Sequence, residues 1–308
     1  MASINFLTGF TVGVSGFTVV FNLTLAGTIF FSKNARVARE YVLVVSTLIM
    51  DTIFNLAYLF SSIVRIATQE RPSRLSCDIQ AFPCFFFVIG TPLVGFSIVL
   101  VALDRFYAVI YPASYYKSDA KQAWIGVAGS LGTAVIVLLV FIAVMSTQPI
   151  KCVLGFEGVS AIMPFLLYLR IASIGLAVFI YGAIYAYVKA NQERVAERLG
   201  QQHAMNRMMA IFKTAVIAML PAVLLIFIPD ICLSFGFLVE YKDWLNAMIM
   251  FKGAINIFIY TLRHRDLRRC VFALFVCKLP QNASHNKVTV IITRSPITST
   301  NAKDPSRS

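Results

Sequence analysis

The stretch FFFVIGTPLVGFSIVLVALDRFYAVIYP, Phe85–Pro112, runs a long apolar segment straight into an acid and an arginine, Asp104 and Arg105. An apolar run of that length is a membrane-crossing helix in a chain that cannot bury it otherwise. Composition says it cannot: 58% of the 308 residues are hydrophobic and only 13% are charged, more apolar surface than a soluble domain of this size encloses.

Working outward, seven apolar stretches are long enough to span a bilayer at roughly 20 residues each. They cover Phe6 to Phe31, Tyr41 to Val64, Ala81 to Leu103, Ala123 to Ser146, Pro164 to Val188, Thr214 to Phe235 and Trp244 to Leu262. Backbone groups in hydrocarbon must satisfy one another, so the spans are helices, and short loops make successive helices antiparallel. The fold class is an all-α seven-transmembrane helix bundle. Pro229 and Asp230 interrupt the sixth span. The first span lacks a basic start and a clear cleavage pattern, so it reads as retained.

Lys and Arg fix the expected orientation. With the N-terminus outside, twenty fall on the inner side and five on the outer, with Arg170 and Lys252 inside spans. The net charge of +13 then reflects topology and attraction to anionic inner lipids, and needs no nucleic acid. Asp104-Arg105 sits at the cytoplasmic end of the third span.

An arginine snorkelling beside an acid would account for that pair alone. Other intramembrane polar groups ask for more: Asn22 in the first span, Asp51 deep in the second, and Asn256-Ile257-Phe258-Ile259-Tyr260 in the seventh. Such groups are costly unless they face the bundle interior and meet one another. They form a polar seam running to the inner face.

Taken in order, Asn22, Asp51, Asp104-Arg105-Phe106, Pro221 and Asn256 to Tyr260 resemble the motifs of the rhodopsin-like G-protein-coupled receptors, over essentially the whole chain. The opening SGFTVVFNLTL and the ending NIFIYTLRHRDLRR are similar to those of nematode chemosensory serpentine receptors, class BC being the subfamily they resemble. That resemblance implies a plasma-membrane receptor, placed in a sensory cilium, that binds a small extracellular molecule and activates a heterotrimeric G protein through Asp104, Arg105 and Phe106. It also implies that Pro221 hinges the sixth helix and that Asn256 and Tyr260 take part in activation. The chain departs from the pattern at Ile257, usually proline, at Met219, usually tryptophan, and at Gln201, often an acid that holds the arginine. Arg105 is therefore expected to rely chiefly on Asp104, with appreciable basal activity. An opsin is disfavoured, because its retinal lysine would fall at Met250.

Lys252 lies one turn from Asn256 on the same helix face. Either it pairs with Asp51, replacing the sodium ion that many relatives hold there, or it points into the ligand cavity. Arg170 either snorkels to the outer headgroups or lines the pocket and favours an anionic or accepting ligand. Phe86 and Phe87 are further lining residues or packing. The short lead before the first span favours a small, partly apolar ligand over a large protein. The family's disulfide would join Cys77 to Cys152, although Cys77 precedes Arg105 by 28 residues, a long spacing, and Cys84 competes.

Residues 1–262 form the receptor domain. Residues 263–280 read as a basic amphipathic helix on the inner leaflet, with Cys270 and Cys277 open to palmitoylation or left as free thiols. Residues 281–308 read as a polar, disordered tail. No histidine pattern suits a metal and no phosphate loop or nucleophile elbow appears, so neither enzyme nor cofactor is expected. The rival class is a secondary transporter or channel using Asp51, Arg170 and Lys252, but no internal repeat supports it. Whether the chain works alone or as a dimer stays open at this level.

Overall fold

The computed structural model describes residues 2–31, 39–68, 74–111, 114–115, 120–147, 162–190, 216–217, 219–237, 239–263 and 268. The elements are α1 (Ala2–Phe31), α2 (Arg39–Thr68), α3 (Arg74–Ile110), α4 (Lys121–Thr147), α5 (Ile162–Ala190), α6 (Met219–Ser234), a 3-10 turn (Val239–Tyr241) and α7 (Lys242–Arg263). Six helices are long and apolar enough to cross a membrane, and α6 is a shorter apolar helix at the position of the sixth expected span. The described elements are helical throughout, as hydrocarbon requires of open spans.

Burial shows which helices lie inside. The apolar window of α2 is the most buried and that of α4 the least, so α2 is central and α4 turns most of its surface outward. One core cluster joins Phe54 and Ala57 of α2, Val94 and Ile98 of α3, Ile174 and Ile184 of α5, Ile226 of α6 and Ile249 of α7. A second ties Leu25 and Ile29 of α1 to Leu48 of α2 and Ile257 of α7. A third packs Leu93 of α3 against Val127 and Ala134 of α4.

Close approach has sequence causes. A Cβ on Gly95 would fall 2.9 Å from the Ser173 Cβ and 3.5 Å from the Arg170 Cα, so α3 and α5 touch only because residue 95 lacks a side chain. Pro83 and Pro92 stand inside α3, which a membrane helix tolerates when neighbours re-satisfy the freed carbonyls.

Helix α6 is irregular for a local reason. Pro229 has no N–H to give to the carbonyl four residues back, and its ring crowds that carbonyl. The turn before it, Val223–Phe227, is a π-helix, the widened form that absorbs such a conflict. Asp230 follows at once, in the closing segment Ile228–Ser234.

Helix α3 runs on to Ile110, beyond the expected Leu103. Asp104 and Arg105 are thus held by a helix rather than a loop. Helix α2 begins at Arg39, so Arg39 and Glu40 stand in its first turn beside them.

Candidate functional site

Among the described residues, three groups of charge tie the helices together. The first joins α7 to α2. Lys252 Nζ donates to Asp51 Oδ1, Asn256 Nδ2 donates to Asp51 Oδ2 at 2.9 Å, and all three residues are buried. A buried carboxylate needs such partners, because an isolated charge in low dielectric is costly. Gly253 permits the approach: a Cβ there would lie 2.8 Å from Thr18 Cγ2 and 2.9 Å from Asn55 Nδ2. Of the two orientations expected for Lys252, the structure has the one facing Asp51. Asn22 is also buried, yet neither polar atom of its amide has a hydrogen-bond partner among the described residues. The seam is therefore joined at Asp51, Lys252 and Asn256 and not at Asn22.

The second group joins α5 to α6. Arg170 Nε and Nη2 donate to the two Asp230 oxygens at 2.7 and 2.6 Å, a bidentate pair, with Arg170 5% exposed and Asp230 0%. The guanidinium also lies 5.3 Å from the Phe54 ring centroid. Snorkelling does not occur. Arg170 is level with Gly95, near the middle of the apolar span Phe82–Ile110, and its head points into the bundle. A free anion-binding Arg170 is not what the structure has either, since Asp230 already takes its charge. The sequence signal for Asp230 was its cost in an apolar span, which calls for a buried cation.

The same pair sets the depth of the sixth helix. Pro229, adjacent to Asp230, stands at mid-bundle, and Pro221 lies roughly 12 Å away along the helix toward the end that carries Asp104. The π turn separates the two prolines. Met219, at the position that is usually tryptophan, packs its thioether side chain on the main core cluster.

The third group is at the Asp104 end. Arg39 Nε donates to Asp104 Oδ1 at 2.6 Å, and the Tyr115 hydroxyl donates to Asp104 Oδ2 at 3.1 Å. Arg39 Nη1 also donates to Gln122 Oε1 at 3.1 Å, and its head lies over the Tyr107 and Tyr115 rings, 5.4 and 4.7 Å from their centroids. Burial first, and then the Asp104 carboxylate, push the Tyr115 phenol well above its usual range, so it stays a donor at physiological pH. Arg105 is placed differently. Its Nη1 is 3.4 Å from Glu40 Oε1, while its Nε is 4.0 Å from Asp104 Oδ2 and makes no hydrogen bond. The expectation that Arg105 relies chiefly on Asp104 is thus corrected. Asp104 belongs to Arg39 and Tyr115, and the nearer acid to Arg105 is Glu40. Phe106 packs against the main core cluster.

Phe87 is buried and meets Phe54 and Tyr58 edge-on, and Phe86 lies with Phe60 and Phe82 in a second aromatic group between α2 and α3. Ile257 is core, and Tyr260 is partly buried against the α1–α2–α7 cluster. Cys152, Cys270, Cys277 and Gln201 lie outside the described residues, as do the expected bridge to Cys77, the amphipathic segment apart from Arg263 and Arg268, and the tail.

Six helices long and apolar enough to cross a membrane, joined by buried charge pairs, make a multi-pass membrane protein. The family model of the 7 transmembrane receptor (rhodopsin family) matches residues 21–260, and the chain belongs to that family of G-protein-coupled receptors. Among curated proteins it is similar to sphingosine 1-phosphate receptor 3 of Takifugu rubripes, 25% identical over 285 residues, which cover 86% of this chain and 69% of the relative. It is also similar to sphingosine 1-phosphate receptor 4 of Mus musculus, 27% identical over 199 residues, covering 59% of this chain and 49% of the relative. The transporter reading gives way to this family match. Two of its three charges, Lys252 and Asp51, moreover neutralise each other, and Arg170 is closed on Asp230.

Proposed function

We propose that this receptor binds a small, uncharged and partly apolar molecule from outside and activates a heterotrimeric G protein through Arg105, in the chemosensory role implied by its two end motifs. The positive-inside count supports an outer N-terminus and a cytoplasmic Asp104 end. The observation that carries the coupling role is the state of Arg105: helical, largely buried, with an Nε that makes no hydrogen bond, a 3.4 Å contact to a half-exposed acid and a 4.0 Å approach to Asp104. Such a side chain is ready to exchange its restraint for a partner's acceptor groups.

Activation is a population shift, in which the ligand prefers a state with α6 swung outward. The irregular stretch from Pro221 through the π turn to Pro229 is the part of α6 that bends. Lys252 on Asp51 replaces a bound sodium ion, so ligand affinity should not respond to sodium. Uncharged ligands are favoured because the two cations that lie deep in the spans are each neutralised by an acid. A phosphate-bearing lipid, the ligand named for the similar sphingosine 1-phosphate receptors, is the second reading and rests on those likenesses.

A reporter assay separates the two. Cells expressing the chain are exposed to sphingosine 1-phosphate and to a panel of small uncharged compounds, beside Arg105→Ala at matched surface expression. Responses to uncharged compounds that Arg105→Ala abolishes while binding persists are expected. A response to the phospholipid alone would replace the proposed ligand class.

A further inference from the structure

We propose that Arg39 and Glu40, adjacent in the first turn of α2, are opposed positioning residues that set how freely Arg105 couples. The inference rests on the reading of Arg105 as the coupling residue.

The two side chains divide the Asp104-Arg105 pair between them. Arg39 takes Asp104 at 2.6 Å and is steadied there by Gln122 and by the Tyr107 and Tyr115 rings. Asp104, its side chain 3% exposed, is satisfied without Arg105. Arg105 is left 4.0 Å away with an unpaired Nε, and Glu40, its side chain 43% exposed, holds the far end of the guanidinium at 3.4 Å.

Removing either residue should shift Arg105 in opposite senses. Without the Arg39 charge, a buried carboxylate loses its main counter-ion, and the nearest cation is Arg105 with its open Nε. Asp104 then captures Arg105 and withholds it. Without the Glu40 charge, Arg105 loses its closest acid and is more available. A half-exposed pair is weak, so the second effect is modest, about two- to fivefold in the signalling population.

The experiment measures ligand-free G-protein activation in cells, at surface expression matched by titrating the plasmid, for Arg39→Gln, Arg39→Lys, Glu40→Gln, Asp104→Asn, the double variant Arg39→Gln with Asp104→Asn, and Arg105→Ala. Expected are a fall for Arg39→Gln, a smaller fall for Arg39→Lys, a rise for Glu40→Gln, and no further fall from Arg39→Gln once Asp104 is neutral. If Arg105→Ala is silent but Arg39→Gln and Glu40→Gln change signalling in the same direction, or Arg39→Gln still acts beside Asp104→Asn, the positioning role is overturned and the coupling role stands. Signalling that survives Arg105→Ala overturns both. Arg39→Lys, which keeps the charge, covers the case in which Arg39→Gln does not reach the surface.

Discussion

The Arg170–Asp230 pair and the Arg105–Glu40 pair have the same chemistry and opposite character. The first is bidentate at 2.6 to 2.7 Å, almost fully buried and stacked near an aromatic ring. The second is a single contact at 3.4 Å to an acid that half faces solvent. A closed pair in low dielectric cannot lose one member without leaving a naked charge, whereas an open pair exchanges partners at little cost. The bundle is therefore fastened at mid-depth between α5 and α6 and left releasable at the Asp104 end, the end that the proposed function assigns to G-protein coupling.

The sharpest way to break this contrast is to remove one member of the closed pair. Asp230→Ala strands Arg170 and should cost about 3–5 kcal/mol, read as lost surface expression and a lower melting temperature in detergent. Replacing both, Arg170→Met with Asp230→Leu, should recover most of that loss, since a packed apolar pair removes the desolvation penalty. Equal damage from single and double variants would show that the pair is not what fastens α5 to α6. Lys252→Met should come next, at roughly 2–4 kcal/mol, because Asp51 keeps Asn256 as a donor but loses its counter-ion. The same melting assay checks it, and Asp51→Asn in that background should restore stability.

Gly95→Leu tests the close approach of α3 and α5 that sets the depth of Arg170. It should destabilise by about 1–3 kcal/mol through overpacking, and an unchanged melting temperature would mean the helices have room to part. Smallest of all is Glu40→Gln, whose effect on stability should stay within about 0.5 kcal/mol while ligand-free signalling rises. A stability loss as large as that of Asp230→Ala would erase the distinction between the two regions.

How much of this was legible follows from where each partner stands. The seven spans came from apolar run length alone, and Lys252 facing Asp51 was one of two orientations that a one-turn spacing to Asn256 allowed. Neither orientation that the sequence offers for Arg170 is the one it takes, because its partner lies sixty residues on, in a different helix. Asp230 registered only as an interruption of the sixth span. In the sequence Arg39 is one more cation of the inner-side count and Glu40 carries no signal, since nothing local says that α2 starts at Arg39 or that α3 continues past Arg105. Intrahelical spacing is readable from a sequence; pairing across helices depends on crossing geometry that no single segment encodes.

The central claim is that a loosely held Arg105 couples the receptor to its G protein. It is tested most directly by nucleotide exchange on a purified heterotrimeric G protein, with the receptor in lipid nanodiscs and no ligand. Wild type should accelerate exchange and Arg105→Ala should return it to the rate of the G protein alone. Equal exchange by the two, or none by wild type, would contradict the claim.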